Sequence, residues 1–187
     1  MPNWCNNSVT FRHSDPEQIS RVVRGFTAEK LFAEFLPCPP DLLAETPIGE
    51  DFVTRNDAQK AINLEKYGYE DWHGWCRDNW GTKWDVSTGE WDDADLTNPN
   101  QVIVSFETAW QPPVAFYEKL TELGFEIEAW YLEEGAGFVG KYTSANGDES
   151  FNFDGAEDLE DIADDVRQFW DLDTICEFQD PETEDAD

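Results

Sequence analysis

The pattern that most constrains the fold lies between residues 102 and 153, where a strand, a helix and three more strands follow one another. Residues 102–108 are rich in β-branched side chains and predict a strand. A helix is predicted from the Pro112-Pro113 pair to Gly124, because proline favours the first turn of a helix and glycine its end. Three further strands are predicted at residues 125–133, 138–143 and 150–153, the last after an Asn146-Gly147 hairpin turn. This order predicts an α+β fold in which a helix covers an antiparallel sheet.

The first half of the chain predicts one more strand, a helix and a helical insertion. Residues 4–12 alternate apolar and polar side chains, which predicts a strand, and Ser14-Asp15-Pro16-Glu17 predicts the start of a helix. The apolar run at residues 31–36 predicts a short strand or a buried turn, which the following prolines end. An insertion of about residues 41–100 contains two predicted helices, at residues 57–67 and 69–80, and Gly81 predicts a left-handed cap on the second.

The tryptophans of this insertion allow two interpretations. Helical spacing places Trp72, Trp75 and Trp80 on one stripe, which favours a role in the core. Together with Trp84 and Trp91, they could instead form a platform on which bases or sugars stack. The core interpretation is preferred, because almost no cations lie nearby to offset the repulsion of a phosphate backbone.

Charge narrows the classes of partner. The chain of 187 residues carries 42 acidic and 12 basic side chains, a formal net charge of −30. We do not expect the protein to bind nucleic acid directly, because such binding needs a basic surface. No apolar run approaches the length that spans a bilayer, and the N-terminal residues lack the features of a signal peptide, so we expect a soluble cytoplasmic protein that does not bind membranes.

The acidic residues are concentrated at the C-terminal end. An amphipathic helix is predicted at residues 156–170, with an apolar stripe that docks on a body formed by residues 1–153 and carboxylates on the remaining face. A flexible tail is predicted to follow within residues 154–187. At helical spacing, the carboxylates of residues 154–165 come within a factor of about two of the charge density of duplex DNA. The candidate partner-binding residues are Asp154, Glu157, Asp158, Glu160, Asp161, Asp164 and Asp165, with Asp92, Asp93 and Asp95 in an acidic loop.

The sequence shows no pattern typical of an active site. It contains no phosphate-binding glycine loop, no paired metal-binding histidines and no nucleophile elbow. The four cysteines, at positions 5, 38, 76 and 176, are too far apart for a zinc knuckle and are expected to be free, buried thiols. We therefore expect no catalytic residues, no metal and no cofactor.

Five short motifs, taken in order, resemble one family. They are residues 1–7 (MPNWCNN), 36–39 (LPCP), 80–85 (WGTKWD), 106–113 (FETAWQPP) and 137–140 (GFVG). The set resembles the YubB-type ferredoxin-like family of bacteriophages and conjugative plasmids, over roughly residues 1–143. The resemblance implies a ferredoxin-like sandwich, with helices on one face of an antiparallel sheet and a Trp-rich helical insertion. It also implies an origin in a mobile genetic element, but it carries over no activity and no catalytic residue.

Three functional hypotheses follow. The first is a phage or mobile-element protein that inhibits a host nucleic-acid-binding defence complex, of the CRISPR or restriction type, by acidic mimicry of nucleic acid; its partner would be a basic host protein or complex. The second is a non-catalytic protein-binding or assembly module whose acidity serves only solubility, as it also would on a halophile surface. The third is a small enzyme that acts on nucleotides. The sequence does not specify the oligomeric state.

Overall fold

The computed structural model describes residues 3–43, 52–87 and 98–179, with side chains described from residue 57 onward in the second range. Most of the predicted acidic loop, including residues 92–95, lies outside these residues, and so does the chain beyond residue 179. The first half contains strand β1 (Trp4–Arg12) and helices α1 (Pro16–Thr27), α2 (Leu31–Phe35), α3 (Pro40–Leu43), α4 (Phe52–Tyr67) and α5 (Trp72–Trp80). The second half contains β2 (Gln101–Ala109), α6 (Val114–Glu122), β3 (Glu126–Glu133), β4 (Phe138–Thr143), β5 (Gly147–Asn152), a 3-10 turn (Ala156–Asp158), α7 (Asp164–Trp170) and α8 (Leu172–Gln179).

The five strands form one antiparallel sheet in the order β2-β1-β3-β4-β5. Val9, at the centre of β1, lies opposite Val104 of β2 on one side and Ala129 of β3 on the other. Because β2 and β3 both run antiparallel to β1, they are parallel to each other, and α6 connects them. The unit β2-α6-β3 is therefore a split β-α-β arrangement with β1 between its strands. The predicted α+β fold with an antiparallel sheet is confirmed.

The main core lies on one face of the sheet, under α1, α2, α5 and α6. Alternate residues of β1 and β2 point into it, as expected for strands with one buried face. The largest fully buried side chains of this core are Phe11, Phe26, Phe32, Phe116, Tyr117, Leu31, Leu120 and Ile127.

A second core lies on the other face, over the half of the sheet formed by β3, β4 and β5. Leu132 and Val139 contribute from the strands, and the C-terminal segment supplies Leu159, Ile162, Val166, Leu172 and Cys176. The rings of Trp130 and Phe169 stack with their centroids 4.6 Å apart and their planes 6° from parallel. The apolar residues of the C-terminal segment thus dock on the body, as the sequence predicts.

The prediction of a strand or buried turn at residues 31–36 is wrong, because most of this run forms helix α2. No side chain of the preceding residues caps this helix. Instead, the carboxylate of Asp85 accepts hydrogen bonds from the backbone N–H groups of Phe32 and Ala33, both at 2.9 Å. A residue more than fifty positions away therefore supplies the cap that the local sequence lacks.

The prediction of one continuous helix at residues 156–170 is also wrong. The chain forms the short 3-10 turn, then turns through residues 159–163, and enters α7 only at Asp164. Carboxylates at positions 157, 158, 160, 161, 164 and 165 would stand three or four residues apart on a helix, where like charges repel. The Asp158 side chain also accepts a hydrogen bond from the backbone N–H of Asp154 at 2.7 Å, which favours a turn over a helix.

Candidate functional site

The C-terminal residues 154–179, which we call the acidic segment, display most of their carboxylates to solvent. Among the seven candidate residues that the sequence predicts in this segment, Asp158 is half-buried and the other six are exposed. The sequence reasoning missed three more exposed acids on the same segment, Asp171, Asp173 and Glu177. Their signal was the high acid content of the whole C-terminal region, but they lie beyond the predicted helix, which ends at residue 170. Asp92, Asp93 and Asp95 lie outside the described residues.

Some of these carboxylates already have partners within the protein. Lys141 of β4 lies 2.6 Å from Asp165 and 3.2 Å from Glu149, and its ammonium group lowers the pKa of Asp165. Arg167 forms an ion pair with Asp173, and Asp158 holds the turn described above. Among the described residues, the carboxylates of Glu157, Glu160, Asp161 and Asp164 form no hydrogen bond or ion pair.

The four unpaired carboxylates stand on a fixed backbone. Leu159, Ile162 and Val166 alternate with them along the chain and are buried in the second core. The backbone positions of the unpaired carboxylates are therefore fixed by apolar packing and not by contacts between the carboxylates. Because the segment is not one helix, however, their spacing does not follow a rise of about 1.5 Å per residue. The predicted match to the charge density of duplex DNA assumed one continuous helix, so the structure does not support that match.

The structure also buries several thiol and carboxyl groups. All four cysteines are buried, and burial raises the pKa of the Cys5 thiol and raises that of Cys76 to about 12. Buried Glu133 accepts hydrogen bonds from the backbone N–H groups of Gly135, at 3.2 Å, and Ala136. Within residues 3–43, 52–87 and 98–179, no group of three or more His, Cys, Asp or Glu side chains could hold a metal ion. In the same ranges, no helix is both long and apolar enough to span a bilayer.

The tryptophans divide between the core and the surface. Trp80 is buried and its indole N–H donates to the carbonyl of Leu36 at 2.9 Å, while Trp72 and Trp75 pack against the main core. The core interpretation is confirmed for these three. Trp84 is exposed, and its ring centroid lies 6.3 Å from that of exposed Trp4. Trp91 lies outside the described residues.

Comparison with known families agrees with this architecture. Residues 82–173 match the model of a family described as the ferredoxin-like domain in Api92-like protein. These residues belong to a ferredoxin-like domain. The matched range omits β1, although β1 lies between β2 and β3 in the sheet. The ferredoxin-like domain of this chain therefore needs residues from before the matched range to complete its sheet.

One solved structure also resembles the chain. It is the crystal structure of the protein api92 from Yersinia pseudotuberculosis, with 12% sequence identity and a TM-score of 0.40, and the alignment covers 83% of this chain and 99% of that one. No curated protein matches the chain. The YubB-type resemblance and the mobile-element origin that it implies stay predictions.

Proposed function

We propose that this protein binds a basic, nucleic-acid-binding protein through its acidic segment and thereby competes with nucleic acid. The observation that carries the proposal is the set of four exposed, unpaired carboxylates on a backbone fixed by the second core. A partner would meet these charges already ordered, so binding would cost little conformational entropy in the segment. The net charge of −30 would also speed the approach to a basic groove.

The proposed partner class is a host defence complex of the CRISPR or restriction type. Such complexes must bind nucleic acid, so they present the basic grooves that an acidic protein can occupy. The YubB-type resemblance supports this choice, because phages and conjugative plasmids are the elements that meet such complexes. Occupation of the groove, with no reaction, would be sufficient for inhibition.

The test uses charge reversal at exposed carboxylates that form no hydrogen bond or ion pair among the described residues, and circular dichroism checks that each variant is folded. Asp158 and Asp165 are unsuitable, since one caps a turn and the other pairs with Lys141. The test variant carries Glu160→Lys, Asp161→Lys and Asp164→Lys. The matched control carries Asp57→Lys, Glu65→Lys and Glu118→Lys, three exposed acids outside the segment. Both variants have a net charge of −24, so they differ only in where the charge is changed.

The assay has two steps. Immobilised wild-type protein captures partners from nuclease-treated host lysate at low salt, and a captured partner is purified and tested for displacement by duplex DNA or RNA. We expect the control variant to bind like the wild type and the test variant to lose at least tenfold in affinity. Equal binding by the two variants, or a partner that binds this protein and nucleic acid at once, would refute the proposal. Equal binding would instead favour the assembly-module hypothesis.

A further inference from the structure

A cavity of about 300 Å³ opens between the end of α5, the turn that follows it and the end of β2. It lies apart from the acidic segment, which packs on β3 and β4. Its lining residues are His73, Arg77, Thr82, Lys83, Trp110 and Gln111, with Ala109. This is a positively charged lining in a strongly acidic protein.

Within the described part of the chain, the two basic side chains Arg77 and Lys83 of this cavity have no carboxylate partner, which is unusual for this protein. Eight of the described basic side chains have a carboxylate oxygen within 4.0 Å: Arg12, Arg21, Arg24, Lys60, Lys66, Lys119, Lys141 and Arg167. Among the basic side chains that the structure describes, only Lys30, Arg77 and Lys83 have none. Two of these three line the same cavity, although the chain has 42 acids that could pair with them. The Lys83 ammonium group lies over the exposed Trp84 ring, 3.8 Å from its centroid, and an anion would share the ammonium group with that ring. No described carboxylate neutralises Arg77 or Lys83, so their charges are otherwise available to an anion from outside.

The aromatic wall of the cavity is held in a strained conformation. Trp110 has a φ of 74°, which is rare for a bulky residue, and the residue is 47% exposed. Its backbone N–H donates to the carbonyl of Asn3 at 3.0 Å. On either side, the Thr82 hydroxyl donates to the Ala109 carbonyl at 3.0 Å, and the Gln111 amide donates to the Gly81 carbonyl.

A buried polar network supports this turn from behind. The Thr108 hydroxyl donates to the Gln111 carbonyl at 2.8 Å and accepts from the Asn7 amide at 2.9 Å. The Tyr117 hydroxyl in turn donates to the Asn7 side-chain oxygen at 3.2 Å. Asn7, Thr108 and Tyr117 are all buried. Backbone strain that its surroundings impose in this way is concentrated at binding sites, where it fixes a side chain in position.

We propose that this cavity binds a free mononucleotide, with its phosphate on Arg77 and Lys83 and its base against Trp110. A guanidinium group binds phosphate through two hydrogen bonds and an ammonium group adds a point charge. An exposed indole face stacks on nucleobases. The volume is at the lower end of the range for small-molecule sites, which suits one nucleotide. A polynucleotide is disfavoured, because its further phosphates would meet an acidic surface. This inference is independent of the function proposed above.

The test is isothermal titration calorimetry of the full chain with each of the four ribonucleoside 5′-monophosphates. Further titrations use the corresponding nucleosides, inorganic phosphate and a single-stranded ten-nucleotide RNA. We expect at least one monophosphate to bind with one site per chain and a Kd below 1 mM. The matching nucleoside and inorganic phosphate should each bind at least tenfold more weakly, since each lacks one half of the contacts. No binding by any monophosphate, equal binding by inorganic phosphate, or tighter binding by the RNA would overturn the proposal.

Variants identify the site. Arg77→Ala and Lys83→Ala should each weaken the binding at least tenfold, and Trp110→Phe should weaken it less than Trp110→Ala. Lys30→Ala is the matched control, because it removes the third cation that has no described carboxylate oxygen within 4.0 Å and lies outside the cavity lining. Circular dichroism and thermal melting check that each variant is folded. Unchanged binding in both Arg77→Ala and Lys83→Ala would overturn the assignment to this cavity.

Discussion

Leu172 provides a direct test of how the acidic segment is held. It is the first residue of α8 and is fully buried in the second core. Leu172→Ala removes three carbon atoms from this core, which costs about 2.4 kcal/mol in transfer free energy at about 0.8 kcal/mol per carbon. The cavity left behind adds to this loss wherever the surrounding side chains do not collapse. We therefore expect the free energy of unfolding to fall by about 3–4 kcal/mol.

The measurement is urea denaturation at pH 7, followed by circular dichroism and by tryptophan fluorescence. Phe178→Ala is the control, because this side chain belongs to the same helix but is 86% exposed, and its removal should change the stability by less than about 0.5 kcal/mol. A loss below about 1 kcal/mol in Leu172→Ala, or equal effects of the two substitutions, would show that the segment is not packed on the sheet as described. The fixed-charge argument for partner binding would then fail as well.

Three further predictions concern the turn after α5, the cap of α2 and the ion pair of β4. Gly81→Ala should destabilise the fold more than Gly68→Ala, which thermal melting can compare. Both glycines have a positive φ, but only at position 81 would the new Cβ meet backbone atoms, with the Val114 nitrogen 3.0 Å away. Asp85→Ala should cost about 1–2 kcal/mol in urea denaturation, through the lost α2 cap. Lys141→Met should raise the pKa of Asp165, measured by NMR titration. In the wild type the lowered pKa of Asp165 stabilises the fold above about pH 4, and this stabilisation is lost as the pH falls through the lowered value.

The strands could be predicted from the sequence because their signals are local. The β-branched run at residues 102–108 and the alternation at residues 4–12 each specify one buried face, and β2 and β1 form there with that face inward. Gly81 could be predicted as a left-handed cap for the same reason, and its φ of 87° confirms it. In each case the information lies within a few residues of the element that it determines.

Helix α2 and the acidic segment could not be predicted correctly, because their determinants are not local. The cap of α2 comes from Asp85, and only the folded chain brings this carboxylate to residues 32 and 33. In the acidic segment the apolar spacing gave the right buried residues but the wrong secondary structure. Burial of Leu159 and Ile162 is satisfied by turns as well as by a helix, and repulsion between the carboxylates favours the turns.

The cavity was missed for a different reason. Arg77 and Lys83 are visible in the sequence as rare cations, but a cation is informative only when its neighbours are known. Their significance comes from the missing carboxylate partner, since eight of the nine other described basic side chains have a carboxylate oxygen within 4.0 Å. The aromatic residue of the cavity, Trp110, directly follows strand β2, and only the folded protein brings the end of β2 close to α5.

The position of the two proposed sites on the sheet makes them separable. The cavity lies at the end of β2, which forms one edge of the sheet, whereas α7 packs on β3 and β4 toward the other edge. Charges interact weakly across distances beyond the Debye length, which is about 8 Å at 0.15 M salt. Reversal of Glu160, Asp161 and Asp164 should therefore leave mononucleotide affinity nearly unchanged, and Arg77→Ala should leave partner binding unchanged. Loss of both activities in either variant would mean that one surface, and not two, carries the function of this protein.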